Sequence, residues 1–176
     1  MSKIGKKPIT IPEGVTVTVD GNLLVVKGPK GELRQAMPVG LVFKIEEKAL
    51  AVEKTEAALW GLGRALAANM IIGVTDGFEK ILDFTGVGYK AQVKGDTLEL
   101  NLGFTNPVTI QTPAGIAFQV EKNSIIVRGM DRSTVGHVSA KIRAARPPEP
   151  YKGSGIIYRG EVIHRKAGKK AASTAA

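Results

Sequence analysis

The sequence predicts an α+β protein built from two tandem copies of one module, in which an antiparallel β-sheet is covered on one face by a single α-helix. Two observations lead to this fold class. Residues 12–28 recur as residues 113–129, and each half of the chain also contains an amphipathic helical segment. Because 176 residues with 43% hydrophobic content can form two small cores, we expect one domain at residues 1–82 and a second at residues 83–176.

The repeated segment predicts a β-hairpin at the start of each copy. A Pro-x-Gly turn opens an alternating strand, a polar turn follows, and a β-branched run returns along the first strand. Conservative exchanges such as Val15/Ile116 separate the identical positions. The identical pairs are Pro12/Pro113, Gly14/Gly115, Val19/Val120, Asn22/Asn123, Val26/Val127 and Gly28/Gly129.

Each copy also predicts one helix with a single apolar stripe, because apolar residues recur there at spacings of three and four. The stripe residues are Leu59, Leu62, Leu66 and Met70 in the first copy, and Val135, Val138 and Ile142 in the second. Both segments begin with residues that can cap a helix and end with residues that can stop one. The candidate caps are Thr55 and either Asp131 or Ser133, and the stop signals are Gly73 and Pro147-Pro148.

Alternating or β-branched runs predict six further strands, at residues 42–45, 50–52, 79–84, 89–93, 97–102 and 107–111. The glycine-rich string at residues 85–90 lacks the spacing of a Walker phosphate loop, and no helix signal follows it. We interpret it as a turn or bulge between two strands.

The composition excludes several classes of protein. The chain contains no cysteine, so it has no disulfide framework or thiolate metal site, and a cytoplasmic location is the expectation. The most apolar region, residues 57–72, contains Arg64 and Asn69 and is too short to span a bilayer. We expect neither a membrane-spanning segment nor a signal peptide.

No catalytic or metal-binding constellation is apparent. Asp131, Ser133 and His137 superficially resemble a triad, but a helix cap and a surface histidine explain them, since no braced base or oxyanion hole accompanies them. His137 and His164 lack the further ligands that a metal site needs. We therefore expect no enzyme, no metal and no cofactor.

The charge distribution predicts binding to a polyanion, with nucleic acid as the leading candidate and an anionic membrane as the second. Residues 141–170 hold nine Lys/Arg against Glu149 and Glu161, whereas residues 11–140 carry thirteen Lys/Arg and fourteen Asp/Glu. Cations that neutralise phosphates release condensed counterions. The candidate cationic contacts are Lys141, Arg143, Arg146, Lys152, Arg159, Arg165, Lys166, Lys169 and Lys170, with Lys3, Lys6 and Lys7 at the other end.

The segment after the second helix combines these charges with prolines, glycines and tyrosines. Its prolines favour an extended backbone, and Gly153 and Gly155 would let main-chain amides approach phosphates. Tyr151 and Tyr158 either stack on RNA or pack on their own domain. We expect residues 148–176 to be an RNA-binding tail whose removal leaves both domains folded.

Two other functions fit the same charge pattern. A free-standing regulator that binds duplex RNA or DNA would share it, and so would an enzyme that acts on a polyanionic substrate, although no catalytic group supports the enzyme. The first domain carries acids at Glu46, Glu47, Glu53 and Glu56, so we expect it to face solvent or protein.

Four strings resemble the bacterial large-subunit (50S) ribosomal protein L6 family. They are PPEPYKGSGIIY at residues 147–158, GVTDGF at 73–78, GVGYKA at 86–91 and LGFTNPV at 102–108. The resemblance implies two similar α+β domains and binding to 23S rRNA mainly through the C-terminal domain and tail. It also implies neighbouring large-subunit proteins as partners, a position near the docking site of translation GTPases, and a place in the cytoplasmic ribosome. Ser154 and Ile157 stand where the family usually has basic residues.

Overall fold

A computed structural model describes residues 4–46, 48–53 and 57–168 of the chain, without the side chains of residues 57 and 58. The first half contains β1 (Ile9–Thr10), β2 (Thr16–Asp20), β3 (Leu23–Gly28), β4 (Gly31–Ala36), β5 (Phe43–Glu46), β6 (Ala49–Val52) and α1 (Ala57–Thr75). The second half contains β7 (Phe78–Thr85), β8 (Lys90–Lys94), β9 (Thr97–Asn101), β10 (Val108–Gln111), β11 (Ile116–Glu121), β12 (Ser124–Gly129), α2 (Arg132–Ala145) and β13 (Gly155–Tyr158).

The chain folds into two compact units. Unit 1 consists of Met1–Glu79 with Arg128–Val135, and unit 2 consists of Lys80–Val127 with Gly136–Ala176. The predicted α+β fold class with two repeated domains is confirmed, and the strands of each copy are divided between two sheets. The domain boundary expected between residues 82 and 83 stays a prediction.

Unit 1 contains two three-stranded antiparallel sheets, ordered β2-β3-β4 and β1-β6-β5. The predicted hairpin of the first repeat is β2 with β3, in a register that pairs Val17 with Val26. Leu24 and Val26 alternate with more exposed neighbours and are fully buried, as expected for a strand with one face on a core. They join the residues of α1 in the core of this unit.

Unit 2 contains the three-stranded antiparallel sheet β10-β9-β8 and most of a four-stranded sheet ordered β11-β12-β7-β13. The glycine-rich string at residues 85–90 forms the turn between β7 and β8, as predicted. β13 pairs antiparallel with β7, so that Ile156 lies opposite Phe84. Ile156 is fully buried, and this last strand is therefore part of the fold of the unit.

The stripe predicted for α1 is wrong at Leu62, which is 46% exposed. Met70 is buried, and Leu59 and Leu66 are partly buried against the core, as predicted. The packed face also includes smaller residues that the stripe did not contain. Gly63 lies on that face, where an ideal Cβ would come within 2.6 Å of Leu41 Cδ1. A pattern of leucines could not reveal this face, since two of its positions are Gly63 and Ala67. Its buried residues are Trp60, Gly63, Ala67, Met70, Ile71 and Val74.

Gly73 does not stop α1, which continues to Thr75. Gly73 is buried, and an ideal Cβ there would overlap the carbonyl oxygen of Met130. The helix ends two residues later, where the N–H groups of Asp76 and Gly77 donate to the carbonyl of Ile72. Gly77 has a φ of 75°, the left-handed conformation that commonly ends helices. Gly73 therefore serves close packing.

The prediction for α2 is confirmed at its cap and along its stripe. The Asp131 carboxylate accepts hydrogen bonds from the N–H groups of Ser133 and Thr134, each at 3.0 Å. Ser133 lies inside the helix and is not the cap, and Thr55 lies outside the described residues. Val135, Val138 and Ile142 are buried. No helix in the described part of the chain is both long and apolar enough to cross a membrane.

Candidate RNA interface

The segment that follows α2 is a closed loop and a strand, so the expectation of an extended, separable tail is wrong. The Glu149 N–H donates to the Ser154 carbonyl at 2.8 Å, and the Gly153 N–H donates to the Glu149 carbonyl at 3.0 Å. β13 follows at once, and the Lys166 N–H then donates to the Pro150 carbonyl at 2.9 Å. These hydrogen bonds hold the chain up to Lys166 against its own unit.

The glycines of this loop are required by the packing of the chain on itself. Gly153 has a φ of 73°, and an ideal Cβ there would lie 2.9 Å from Arg165 Nη2. At Gly155 an ideal Cβ would lie 2.6 Å from the Pro147 carbonyl oxygen and from Pro148 Cα. The close neighbours of both positions belong to this chain, and Gly155 is buried. The structure thus gives these glycines a folding role that does not depend on phosphate.

Arg143 is held inside unit 2 by an ion pair with Glu161. Its Nη2 donates to Glu161 Oε1 at 2.6 Å and its Nε to Oε2 at 3.2 Å. The hydrogen bonds from Arg143 and from the N–H of Tyr158 lower the pKa of Glu161, and the bond to Glu161 raises the pKa of Arg143. Arg143 and Lys80 also lie over the Tyr158 ring, at 5.7 and 5.3 Å from its centroid. Tyr158 therefore packs on its own unit.

Arg159 also forms an ion pair within unit 2, with Asp83. Its Nη2 and Nε donate to the two carboxylate oxygens of Asp83, at 2.8 and 3.2 Å, and Nη2 also donates to Ser124 Oγ at 2.8 Å. These bonds, with the one from Ser124, lower the pKa of Asp83 against the opposing effect of burial. Because Asp83 and Ser124 lie on neighbouring strands, Arg159 joins the end of β13 to β7 and β12.

Arg146 contacts two aromatic residues that the sequence did not suggest as site residues. Its Nε donates to Tyr89 Oη at 3.1 Å, and its guanidinium carbon lies 4.8 Å from the centroid of the Phe104 ring. Phe104 is 47% exposed. The only signal for these two residues lay in the strings GVGYKA and LGFTNPV, which carry the family resemblance.

Four predicted cations of unit 2 remain exposed and form no ion pair with another described residue: Lys141, Lys152, Arg165 and Lys166. Tyr151, beside Lys152, is 54% exposed. Lys6 and Lys7 are exposed in unit 1, while Lys3, Lys169 and Lys170 lie outside the described residues.

Two open grooves lie in unit 2, and two of these cations line the first of them. This first groove, which we call the Lys152 groove, measures about 460 Å³ and is lined by Lys152, Gly153, Ser154 and Arg165 among others. Glu161 also lines it, with its carboxylate paired to Arg143. The second, the Phe104 groove, measures about 450 Å³ and is lined by Phe104, Ala145, Arg146, Pro147, Glu149 and Ser154. Ser154 lines both grooves. A positively charged groove beside a groove with an exposed aromatic ring can accommodate a polyanion that carries flat groups.

Over the described residues, no three His, Asp or Glu side chains are grouped so that they could hold a metal ion. His137 is exposed on α2, and Asp131 is occupied in capping that helix. Asp131 is thus a helix cap and His137 a surface residue, as predicted.

Comparison with known proteins agrees with the duplication. A sequence model of the family described as Ribosomal protein L6 matches residues 11–77 and again residues 85–159. The chain is 53% identical over 175 residues to the large ribosomal subunit protein uL6 of Trichormus variabilis, covering 96% of each chain. It is 50% identical to the protein of the same name from Natranaerobius thermophilus, covering 96% of this chain and 98% of the other, and 48% identical to that of Chelativorans sp., covering 97% and 99%. With both repeats matched and nearly the whole length covered, the chain belongs to the ribosomal protein L6 family.

Proposed function

We propose that this chain binds 23S rRNA through the exposed cations of unit 2, as a structural constituent of the large ribosomal subunit. Membership in a ribosomal protein family makes it a ribosome component and not an enzyme. The relatives that match it over nearly their whole length are named large ribosomal subunit proteins. The large subunit of the cytoplasmic ribosome is accordingly its place of action.

The main support for this RNA contact is that the basic residues of unit 2 fall into two sets, one bound to carboxylates and one exposed. Arg143 and Arg159 are bound to carboxylates of their own unit, and a phosphate would have to compete with charge-assisted hydrogen bonds to reach them. The exposed set forms no ion pair with the described residues, and two of its members, Lys152 and Arg165, line the Lys152 groove. It consists of Lys141, Lys152, Arg165 and Lys166, with Lys169 and Lys170 following in the sequence.

The remaining predicted site residues receive supporting roles in this proposal. Arg143, Tyr158 and Arg159 hold β13 and the residues after it in place, and Gly153 and Gly155 shape the loop that presents Lys152. Tyr151 is exposed beside Lys152 and is available to the RNA. Lys6 and Lys7 belong to unit 1, and with Lys3, which precedes them in the sequence, they would add contacts to phosphates from the amino-terminal end.

We expect recognition by shape and phosphate position. The deep major groove of A-form RNA excludes side chains, and lysines contact phosphates without reading base identity. Each cation that contacts a phosphate should contribute about 0.7 to 0.9 to the slope of log affinity against log salt concentration. A complex held by several such cations should lose affinity steeply as salt is raised.

The test is a salt titration of binding between the full-length protein and deproteinised 23S rRNA. Lys152→Gln and Lys166→Gln should each weaken binding and reduce the salt slope by about one unit or slightly less. The matched control is Lys94→Gln, because Lys94 lies in the same unit but is paired with Glu99 at 2.5 Å. Equal losses in all three variants, or wild-type binding that does not respond to salt, would contradict the proposal.

We further propose that the protein lies near the docking region of translation GTPases and contacts neighbouring large-subunit proteins through unit 1. The family resemblance supports the first part, and the near-neutral charge of residues 11–140 supports the second. Crosslinking of purified large subunits with a bound GTPase should give protein–protein crosslinks from the lysines of unit 1 to ribosomal proteins. Crosslinks from unit 1 to rRNA alone would oppose a protein-facing role.

A further inference from the structure

We propose that Phe104, backed by Arg146, is a stacking site for an unpaired nucleobase of the bound rRNA. This inference rests on the proposed function and makes it more specific, because it adds an aromatic contact to a surface so far described only by its charges.

The Phe104 ring is exposed although the loop that carries it is anchored. Leu102, two residues earlier, is 2% exposed and holds the loop to the core. Gly103 follows with a φ of 76°, and an ideal Cβ there would lie 3.5 Å from Tyr89 Cε1. The backbone therefore reverses over Tyr89 after burying Leu102. Phe104 is left with 47% of its surface in solvent.

Arg146 is fixed against this ring. Its Nε donates to Tyr89 Oη at 3.1 Å while its guanidinium lies over Phe104 at 4.8 Å. A planar guanidinium held by a hydrogen bond on one side loses little further freedom when a ligand binds. Phe104 and Arg146 thus form a preorganised surface of one aromatic ring and one planar cation, and nucleobases stack on both kinds of group.

This surface lies next to the Lys152 groove. The Phe104 groove has the volume of a small-molecule site, and it shares Ser154 with the Lys152 groove. A nucleotide whose base enters the Phe104 groove would have neighbouring phosphates near Lys152 and Arg165. Glu149, which also lines the Phe104 groove, would repel a phosphate there but can accept a hydrogen bond from a base amino group. The occupant that fits these charges is a base, with its phosphates in the adjacent groove.

The test compares Phe104→Leu with wild type in binding to deproteinised 23S rRNA. Leucine keeps an apolar side chain but removes the aromatic ring, so affinity should fall roughly 5- to 100-fold, the usual loss for one stacked base. The salt slope should not change, because no charge is removed. Phe104→Trp keeps an aromatic surface and should retain wild-type affinity within a few-fold. The matched control is Phe118→Leu, the same exchange at a half-buried position of β11 in the same unit, outside both grooves.

The outcomes separate this inference from the proposed function. Salt-dependent binding by wild type with undiminished binding by Phe104→Leu would overturn the stacking site and leave the function standing. Absence of binding by wild type would overturn both. The stacking site is supported if Phe104→Leu loses affinity for the rRNA while Phe104→Trp and Phe118→Leu retain it, provided that circular dichroism shows all variants folded.

Discussion

Arg143 and Glu161 form a two-bond ion pair, at 2.6 and 3.2 Å, that joins α2 to the turn directly after β13. The same Glu161 accepts the N–H of Tyr158, whose ring lies beneath Arg143 and Lys80. The pair therefore fixes the end of the last strand, and through it the loop that presents Lys152. The charge pattern predicted that Arg143 contacts RNA, whereas in the structure it stabilises the protein's own fold.

Replacing Arg143 by Gln should lower the free energy of unfolding by about 1 kcal/mol at pH 7. The folded-state pKa of Glu161 is lowered from its ordinary value of 4.5. The stabilisation is therefore fully present above that value and is lost as the pH falls through the folded-state pKa. Urea unfolding should give a difference in free energy of unfolding between wild type and Arg143→Gln that is larger at pH 7 than at pH 3. Equal differences at both pH values would contradict this account of the pair.

Gly73→Ala should destabilise the protein by about 2 to 3 kcal/mol, because its Cβ would overlap the Met130 carbonyl oxygen. The matched control is Gly136→Ala, also inside a helix, where no atom lies within 4 Å of the new Cβ. Alanine has the higher helix propensity, so the control should gain about 0.5 to 1 kcal/mol. Urea unfolding of both variants measures the two changes, and changes of the same sign would refute the packing role of Gly73.

Truncation after residue 147 should destabilise unit 2, whereas truncation after residue 161 should leave it folded. The shorter chain lacks β13, and loss of a fully buried isoleucine such as Ile156 alone costs about 2 to 5 kcal/mol. The longer chain keeps β13 and Glu161 but lacks Arg165 and Lys166, so its rRNA affinity should fall while its thermal midpoint stays near that of wild type. If both truncations unfolded at the same temperature as wild type, β13 would not be integral to the fold.

Lys122→Gly should stabilise the protein by about 1 kcal/mol. Lys122 has a φ of 44°, and its equivalent in the first repeat is Gly21, with a φ of 56°. A residue with a side chain strains this left-handed conformation, whereas glycine adopts it freely. Gly21→Lys is the reciprocal test: no atom lies within 4 Å of its Cβ position, so strain alone should destabilise it by about the same amount. Thermal unfolding of the two variants should shift in opposite directions.

The parts of the fold that depend on local pattern and on self-similarity could be predicted from the sequence. The repeat predicted both hairpins, and alternating residues predicted β5 to β10 to within one or two positions, whereas β1, β4 and β13 were not predicted. Asp131 and the stripe of α2 followed from capping and spacing. These features are local because turn conformation, side-chain alternation and helical spacing are properties of neighbouring residues. The charge at residues 141–170 pointed in the same way to the unit now proposed to contact RNA.

Only the packing of distant segments shows which side chains are exposed to a ligand and which are bound within the protein. Leu62 is exposed and Gly63 buried because α1 approaches Leu41 more closely than leucine side chains on that face would allow. Two of the predicted arginines are neutralised by Asp83 and Glu161, whose proximity arises from sheet pairing and from the turn after β13. Phe104 meets Arg146 across 42 residues of sequence. Contacts between distant segments depend on how elements pack, and composition and periodicity do not contain that information.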